Sequence, residues 1–266
     1  MMAKHSVQLN AAVLVLVAAV SLAATGQAVA QAAPSIYQTT LMEPNQKTQE
    51  VTTEELRKIL AEKSAVVFDA RSPLEYAISH IPGALNVSEK PGVPISVYIS
   101  DVAEIGRAVS GNKAAPIVLY CNGPFCGKSK RLSEELVAAG YTNVRRYQLG
   151  IPVWRALVGI TEIELEGVRY VVEKDRTAVL LDARDPEEFK AGSIAGARDL
   201  PLSGVKPGKD VGEVKKAKDD GRLPMEDHNT RIIVFGRDGA LAVAREAFHN
   251  LSYFPGTFDA LKTNMK

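Results

Sequence analysis

The chain has 266 residues, enough for two domains that each bury a core of their own. Its 32 Lys and Arg nearly balance 31 Asp and Glu, a formal charge of +1, which argues against a nucleic-acid partner and the basic stripe it would need. Four histidines and two cysteines show no metal-ligand spacing, so no metal is expected.

Residues 1–30 read as a secretory signal peptide. Lys4 gives a positive start, Ala11 to Ala24 is apolar except for Ser21, and Ala28-Val29-Ala30 is a small-residue cleavage pattern before Gln31. A membrane anchor is the rival reading, but Ser21, Thr25 and Gln27 interrupt the run before it reaches roughly 18 apolar residues. The expectation is an exported protein, periplasmic or secreted, with no membrane contact after cleavage. Cleavage removes Lys4 and no acid, so the balance stays near zero.

Residues 31–49 hold few large apolar side chains and include Pro34 and Pro44, which predicts a flexible arm. A first domain is expected over 50–160. Thr52 or Thr53 can cap a helix with Glu54 and Glu55 in its first turn and Leu56, Ile59 and Leu60 on its apolar face. Ala65 to Phe68 follows as a strand and ends in Asp69-Ala70-Arg71-Ser72-Pro73. A short helix then leads to His80-Ile81-Pro82-Gly83-Ala84.

The β-branched run Ile117 to Tyr120 predicts a buried parallel strand. Its loop, Cys121-Asn122-Gly123-Pro124-Phe125-Cys126-Gly127-Lys128-Ser129, carries both cysteines and opens a helix with Leu132, Leu136 and Ala139 at helical spacing and Gly140 as its stop. A cysteine between strand and helix is placed for chemistry. Unpaired amides, the helix dipole and Lys128 would favour a thiolate, and the same groups could cradle an oxyanion. A structural disulfide between Cys121 and Cys126 would close only a small ring and constrain the unfolded chain little.

Much of this text returns in a second domain, expected over 161–266 with Ile160-Thr161-Glu162 starting the link. Asp182-Ala183-Arg184-Asp185-Pro186 and Ser193-Ile194-Ala195-Gly196-Ala197 match the earlier segments. Ile232 to Phe235 takes the place of Ile117 to Tyr120, and Gly236, opening the turn to Gly239, stands where Cys121 stood. The second copy can fold but lacks the nucleophile. Strands alternating with helices in each copy predict an α/β fold, each domain a small parallel sheet with helices on both faces and ligands beyond the strands' carboxyl ends. The charged stretch from Lys206 to Asp220 reads as a solvated helix or loop, with a docking surface as the sharper alternative.

The repeated Asp-Ala-Arg segments, the Gly-Ala turns, the Cys121 loop and Gly150-Ile151-Pro152-Val153-Trp154 together resemble the rhodanese family of sulfurtransferases, as a tandem pair. That resemblance implies a persulfide on Cys121, loaded from a small sulfur donor such as thiosulfate and unloaded by cyanide, a thiol or a protein sulfur acceptor, with no cofactor. It implies substrate contacts from Asn122, Gly123, Phe125, Gly127, Lys128, Ser129 and Arg71. The loop departs from many relatives in being longer and ending in Lys128 rather than arginine, and in many tandem relatives the second copy carries the cysteine.

Three rivals stand beside this. Related folds with longer loops act as phosphatases or arsenate reductases, but these rely on an arginine fork where Lys128 is a point charge. A thiol-redox or sulfur-carrier module would use Cys126 as a resolving cysteine, whereas a bland reading makes Cys126 a packing residue. A non-catalytic binding module is the last. Asp69 with Arg71, and Asp182 with Arg184, occur in both copies and so read first as structural pairs, and Trp154 reads as packing.

Overall fold

The computed structural model describes residues 35–265 apart from 88, 89, 91, 98, 100, 159, 207–209 and 237–239. The signal peptide expected over 1–30, the start of the arm, Gly159 and most of the turn from Gly236 to Gly239 lie outside the described residues.

The first copy contains β1 (Gln49–Glu50), α1 (Thr53–Glu62), β2 (Val66–Asp69), α2 (Pro73–Ile78), β3 (Leu85–Asn86), α3 (Val102–Ala108), β4 (Ile117–Tyr120), α4 (Gly127–Ala138), β5 (Val144–Tyr147) and α5 (Gly150–Val158). The second contains β6 (Thr161–Glu162), α6 (Leu165–Lys174), β7 (Val179–Asp182), α7 (Pro186–Lys190), β8 (Arg198–Asp199), α8 (Gly212–Asp219), β9 (Ile232–Phe235), α9 (Ala240–Ala244), β10 (Leu251–Tyr253) and α10 (Phe258–Asn264). Each forms a five-stranded parallel sheet, in the orders β1-β5-β4-β2-β3 and β6-β10-β9-β7-β8. The expected pair of parallel α/β domains is therefore present.

The repeated sequence text has a physical reading. In α2, Ser72 accepts from the Glu75 amide while the Glu75 carboxylate accepts from the Ser72 amide, with Pro73 opening the helix. Asp185, Pro186 and Glu188 do the same for α7. Thr52, not Thr53, caps α1 and closes the same kind of box with Glu55.

Strand β4 is apolar throughout because helices cover both its faces. Ile117 and Leu119 pack with Leu132 and Leu136 of α4, whereas Val118 and Tyr120 pack with Leu56, Tyr147 and Trp154 on the other side. In α4 the buried face is Ser129, Leu132, Ser133 and Leu136. Ala139, expected on that face, is instead the exposed C-terminal cap.

Two boundaries differ from expectation. The described part of the arm is tied down: the Leu41 and Glu43 amides donate to the Glu50 carboxylate, and Glu43 pairs with Lys130 and Arg146. Thr161 and Glu162, expected to start a link, already form β6.

The copies are knitted together there. His80 and Glu162 exchange backbone hydrogen bonds of 2.9 Å, and Ser79 Oγ donates to Thr161 Oγ1 at 2.9 Å, which donates on to the Leu251 carbonyl. Helix α6 lies on α2 so closely that a Cβ on Gly167 would collide with the Ala77 carbonyl. The charged stretch contains α8, whose Val214 and Ala217 are buried while its lysines pair with nearby acids.

Candidate active site

Strands β2 and β4 are neighbours, but their onward connections run to opposite sides of the sheet, β2 toward β3 and β4 toward β5. Such a switch point opens a crevice beyond the carboxyl ends of the two strands. Residues 69–72 and the loop beginning at Cys121 flank it.

That loop is held by backbone contacts. The Ile151 amide at the start of α5 donates to the Cys121 carbonyl at 3.1 Å, the Cys126 amide to the Gly123 carbonyl at 3.0 Å, and Gln148 Nε2 to the Pro124 carbonyl at 3.1 Å. Gly150 has φ of +68° and packs on the loop with no room for a side chain: a Cβ would lie 2.5 Å from the Cys121 carbonyl oxygen. Here the sequence has one glycine beside Leu149, and it occupies the position that touches the loop.

The loop ends with Cys126 as N-cap of α4, and both thiols are free. Cys121 is 2% exposed; its Sγ donates to the Cys126 carbonyl at 3.3 Å and lies 3.4 Å from Ser129 Oγ. The two cysteine side chains also influence one another. The neighbouring Cys126, then burial, pushes the Cys121 thiol up, against hydrogen bonds from Ser129. Cys126 is lowered by its interaction with Cys121, and although burial opposes this, the Lys128 and Asn122 amides and the Lys128 charge assist it.

The cap position thus favours a thiolate at Cys126, while burial disfavours one at Cys121. The first-turn amide of Lys128 and that of Asn122 point at the half-exposed cap sulfur, whereas the Ser129 amide and hydroxyl reach Cys121.

Glu75, noticed in the sequence only as part of the repeat, closes the mouth. Its carboxylate accepts from Lys128 Nζ at 3.0 Å and from Asn122 Nδ2, besides capping α2. Burial pushes this carboxyl up, but the bonds from Asn122, Lys128 and Ser72 outweigh it and hold it at about 2. The capping-box glutamate in both copies was the available signal.

The other expected contacts divide. Asn122, Gly123, Gly127, Lys128 and Ser129 are all in the loop or the first turn of α4. Phe125 is fully exposed at the loop's outer side, so it does not enclose the sulfurs. Arg71 is 3% exposed, with Nε and Nη2 closing on Asp69 and Nη2 also on the Ser79 carbonyl, so its fork fixes the end of β2 instead of facing a substrate. Trp154 packs under the site and donates to the Ile160 carbonyl. Among the described residues no group of three or more His, Cys, Asp or Glu could hold a metal ion.

The second copy repeats the frame without the opening. Arg184 closes on Asp182 and the Gly192 carbonyl as Arg71 does on its partners. Its side chain then crosses beneath Gly236, where a Cβ would strike Arg184 Cγ, and its guanidinium stacks 3.3 Å from the Phe258 ring centroid. The space of the nucleophile is filled by arginine.

The model of the Rhodanese-like domain matches residues 52–157 and 170–260. Among solved structures, the chain is similar to the 3-mercaptopyruvate sulfotransferase SseA of Escherichia coli at 19% identity, covering 79% of this chain and 98% of that one with a TM-score of 0.34. It is also similar to a thiosulfate sulfurtransferase of Pseudomonas aeruginosa at 20% identity and a TM-score of 0.31, covering 80% of this chain and 44% of that one. A Rhodanese_3-like domain from Anabaena is 27% identical over 38% of this chain and 93% of its own, with a TM-score of 0.29. No curated protein matches.

Proposed function

The chain belongs to the rhodanese-like domain family, and from that premise we propose that it is a sulfurtransferase, moving a sulfane sulfur from a donor such as thiosulfate to a thiophilic acceptor through a persulfide on Cys121. The observation that carries this reading is the pair of free thiols at the N-terminus of α4, present in one copy and replaced by glycine and arginine in the other.

In the first step Cys121 Sγ gives up its proton to solvent and attacks the sulfane sulfur as a thiolate. The S–S bond of thiosulfate breaks, sulfite leaves with the electron pair, and Cys121 holds the persulfide. The Ser129 amide and hydroxyl stand beside that sulfur. Cyanide or a thiol, free or on a protein, then takes the outer sulfur and returns the electron pair to Cys121.

Cys126 supports a second outcome at the same site. As a thiolate, its sulfur can attack the inner sulfur of the Cys121 persulfide, expelling hydrosulfide and leaving a disulfide that an external thiol reopens. The lowered Cys126 favours this route. The arsenate-reductase and phosphatase reading loses ground, because Lys128 is already paired with Glu75 and offers no bidentate fork.

A thiosulfate-to-cyanide assay on wild type and Cys121→Ser tests the main reading, and equal activity would overturn it. Intact mass after thiosulfate should show one added sulfur in Cys126→Ser, and in wild type either that sulfur or the loss of two hydrogens that marks a Cys121–Cys126 disulfide, with loss of loading in Cys126→Ser refuting the order of roles. Export is part of the proposal, supported by the pattern ending at Ala30. Edman sequencing of protein from an exporting host should begin at Gln31, and an intact N-terminus would refute it.

A further inference from the structure

A second, basic cleft lies where α5 of the first copy meets the α9–β10 segment of the second. It encloses about 240 Å³ and is lined by Arg155 and Leu157 on one side and by Arg245, Phe248 and His249 on the other, with no carboxylate in its lining. That volume accommodates a tetrahedral oxyanion with several waters, each taking ~30 Å³.

Arg155 of this cleft, and Arg231 close behind it, keep unpaired N–H groups. Arg155 Nη2 donates to Ser79 Oγ at 2.7 Å, but its Nε is buried with no partner. Arg231, which neighbours Arg155, keeps Nη1 buried without a partner and has Asp175 3.4 Å from its Nε. Burial, and then the nearby Arg71 and Arg231, pull Arg155 down to about 10. Buried guanidinium N–H groups left without an acceptor are costly, and an anion that accepts from them recovers that cost.

We propose that this cleft binds a small inorganic oxyanion of the sulfate or phosphate type, held between Arg155 of the first copy and Arg245 of the second. The site is separate from the cysteine loop and does not depend on sulfur transfer. Because it joins both copies, its occupant stabilises them as a unit.

The test is thermal unfolding of the full chain with sodium sulfate or phosphate against sodium chloride of equal ionic strength. At about tenfold over Kd, the oxyanion should raise the midpoint by about 3 °C beyond chloride. Arg245→Gln, at an exposed residue, and Arg155→Met should each abolish that increment, whereas Lys128→Gln in the cysteine loop should keep it. Arg245→Gln should leave sulfur loading of Cys121 intact, which separates failure here from failure of the catalytic reading. An increment no larger than chloride's, or one that survives Arg245→Gln, would overturn the proposal. So would one lost in Lys128→Gln, which would assign the anion to the cysteine loop.

Discussion

Gly150→Ala is the sharpest probe of how the loop is held. The residue sits at φ +68°, where an L side chain costs ~1–2 kcal/mol. The added methyl would also lie 2.5 Å from the Cys121 carbonyl oxygen and from Gly123 Cα. Van der Waals contact requires nearly an ångström more, and overpacking of this kind costs ~1–3 kcal/mol. Together these give ~2–5 kcal/mol, or about 5–15 °C in the unfolding midpoint at this size. The atoms that must yield belong to the cysteine loop, so sulfur loading of Cys121, read by intact mass, should fall more steeply than stability. Gly140→Ala is the control, since that glycine has φ +87° but nothing within 4 Å of its Cβ position. It should carry the backbone cost alone and load normally. If Gly150→Ala matched it in both midpoint and loading, the bracing argument would be wrong.

Three further substitutions test the site's surroundings. Glu75→Gln removes the carboxylate from Lys128 and Asn122, so the KM for thiosulfate should fall, by up to about fivefold for ~1 kcal/mol at a site this exposed; a rise would contradict the assigned role. Glu75 is held at about 2 against an ordinary 4.5, so the stability it adds is complete above pH 4.5 and disappears as pH falls toward 2. With its side chain 34% exposed, that contribution is ~1–2 kcal/mol after screening, and acid unfolding of Glu75→Gln should lack this part of the pH dependence. Gly236→Cys should not acquire sulfur from thiosulfate, because Arg184 occupies the space, and a loaded second copy would refute the account of its inactivity. Gly167→Ala should lower the unfolding midpoint by several degrees by forcing α6 off the α2 backbone, and an unchanged midpoint would show that the helices separate freely.

The architecture was legible where local chemistry and burial agree. Ile117 to Tyr120 reads as a buried strand because both its faces are covered, and the Ser72–Glu75 and Asp185–Glu188 boxes explain why the text repeats. The two-residue strands β1, β3, β6 and β8 carry no periodicity of their own and exist through their neighbours' ladders. Within the site, the loop and the first turn of α4 were readable, but that the amides of Asn122 and Lys128 reach the Cys126 sulfur was not, because it depends on how the loop folds back on the helix start. Glu75 was missed because it meets Lys128 only across the crevice, whereas the pairing of Arg71 with Asp69 was readable because both copies carry it.

The hydrogen-bonded line from Arg155 through Ser79 and Thr161 to the Leu251 carbonyl has a consequence for the chain's history. A duplicated half that loses its chemistry is ordinarily free to be deleted. Here deletion would strip Thr161 from Ser79, leave His80 without its backbone partner and bare the Ala77 surface that Gly167 covers. The half without a nucleophile has become part of the interior of the half that has one, so selection on the thiols of one copy also preserves the other.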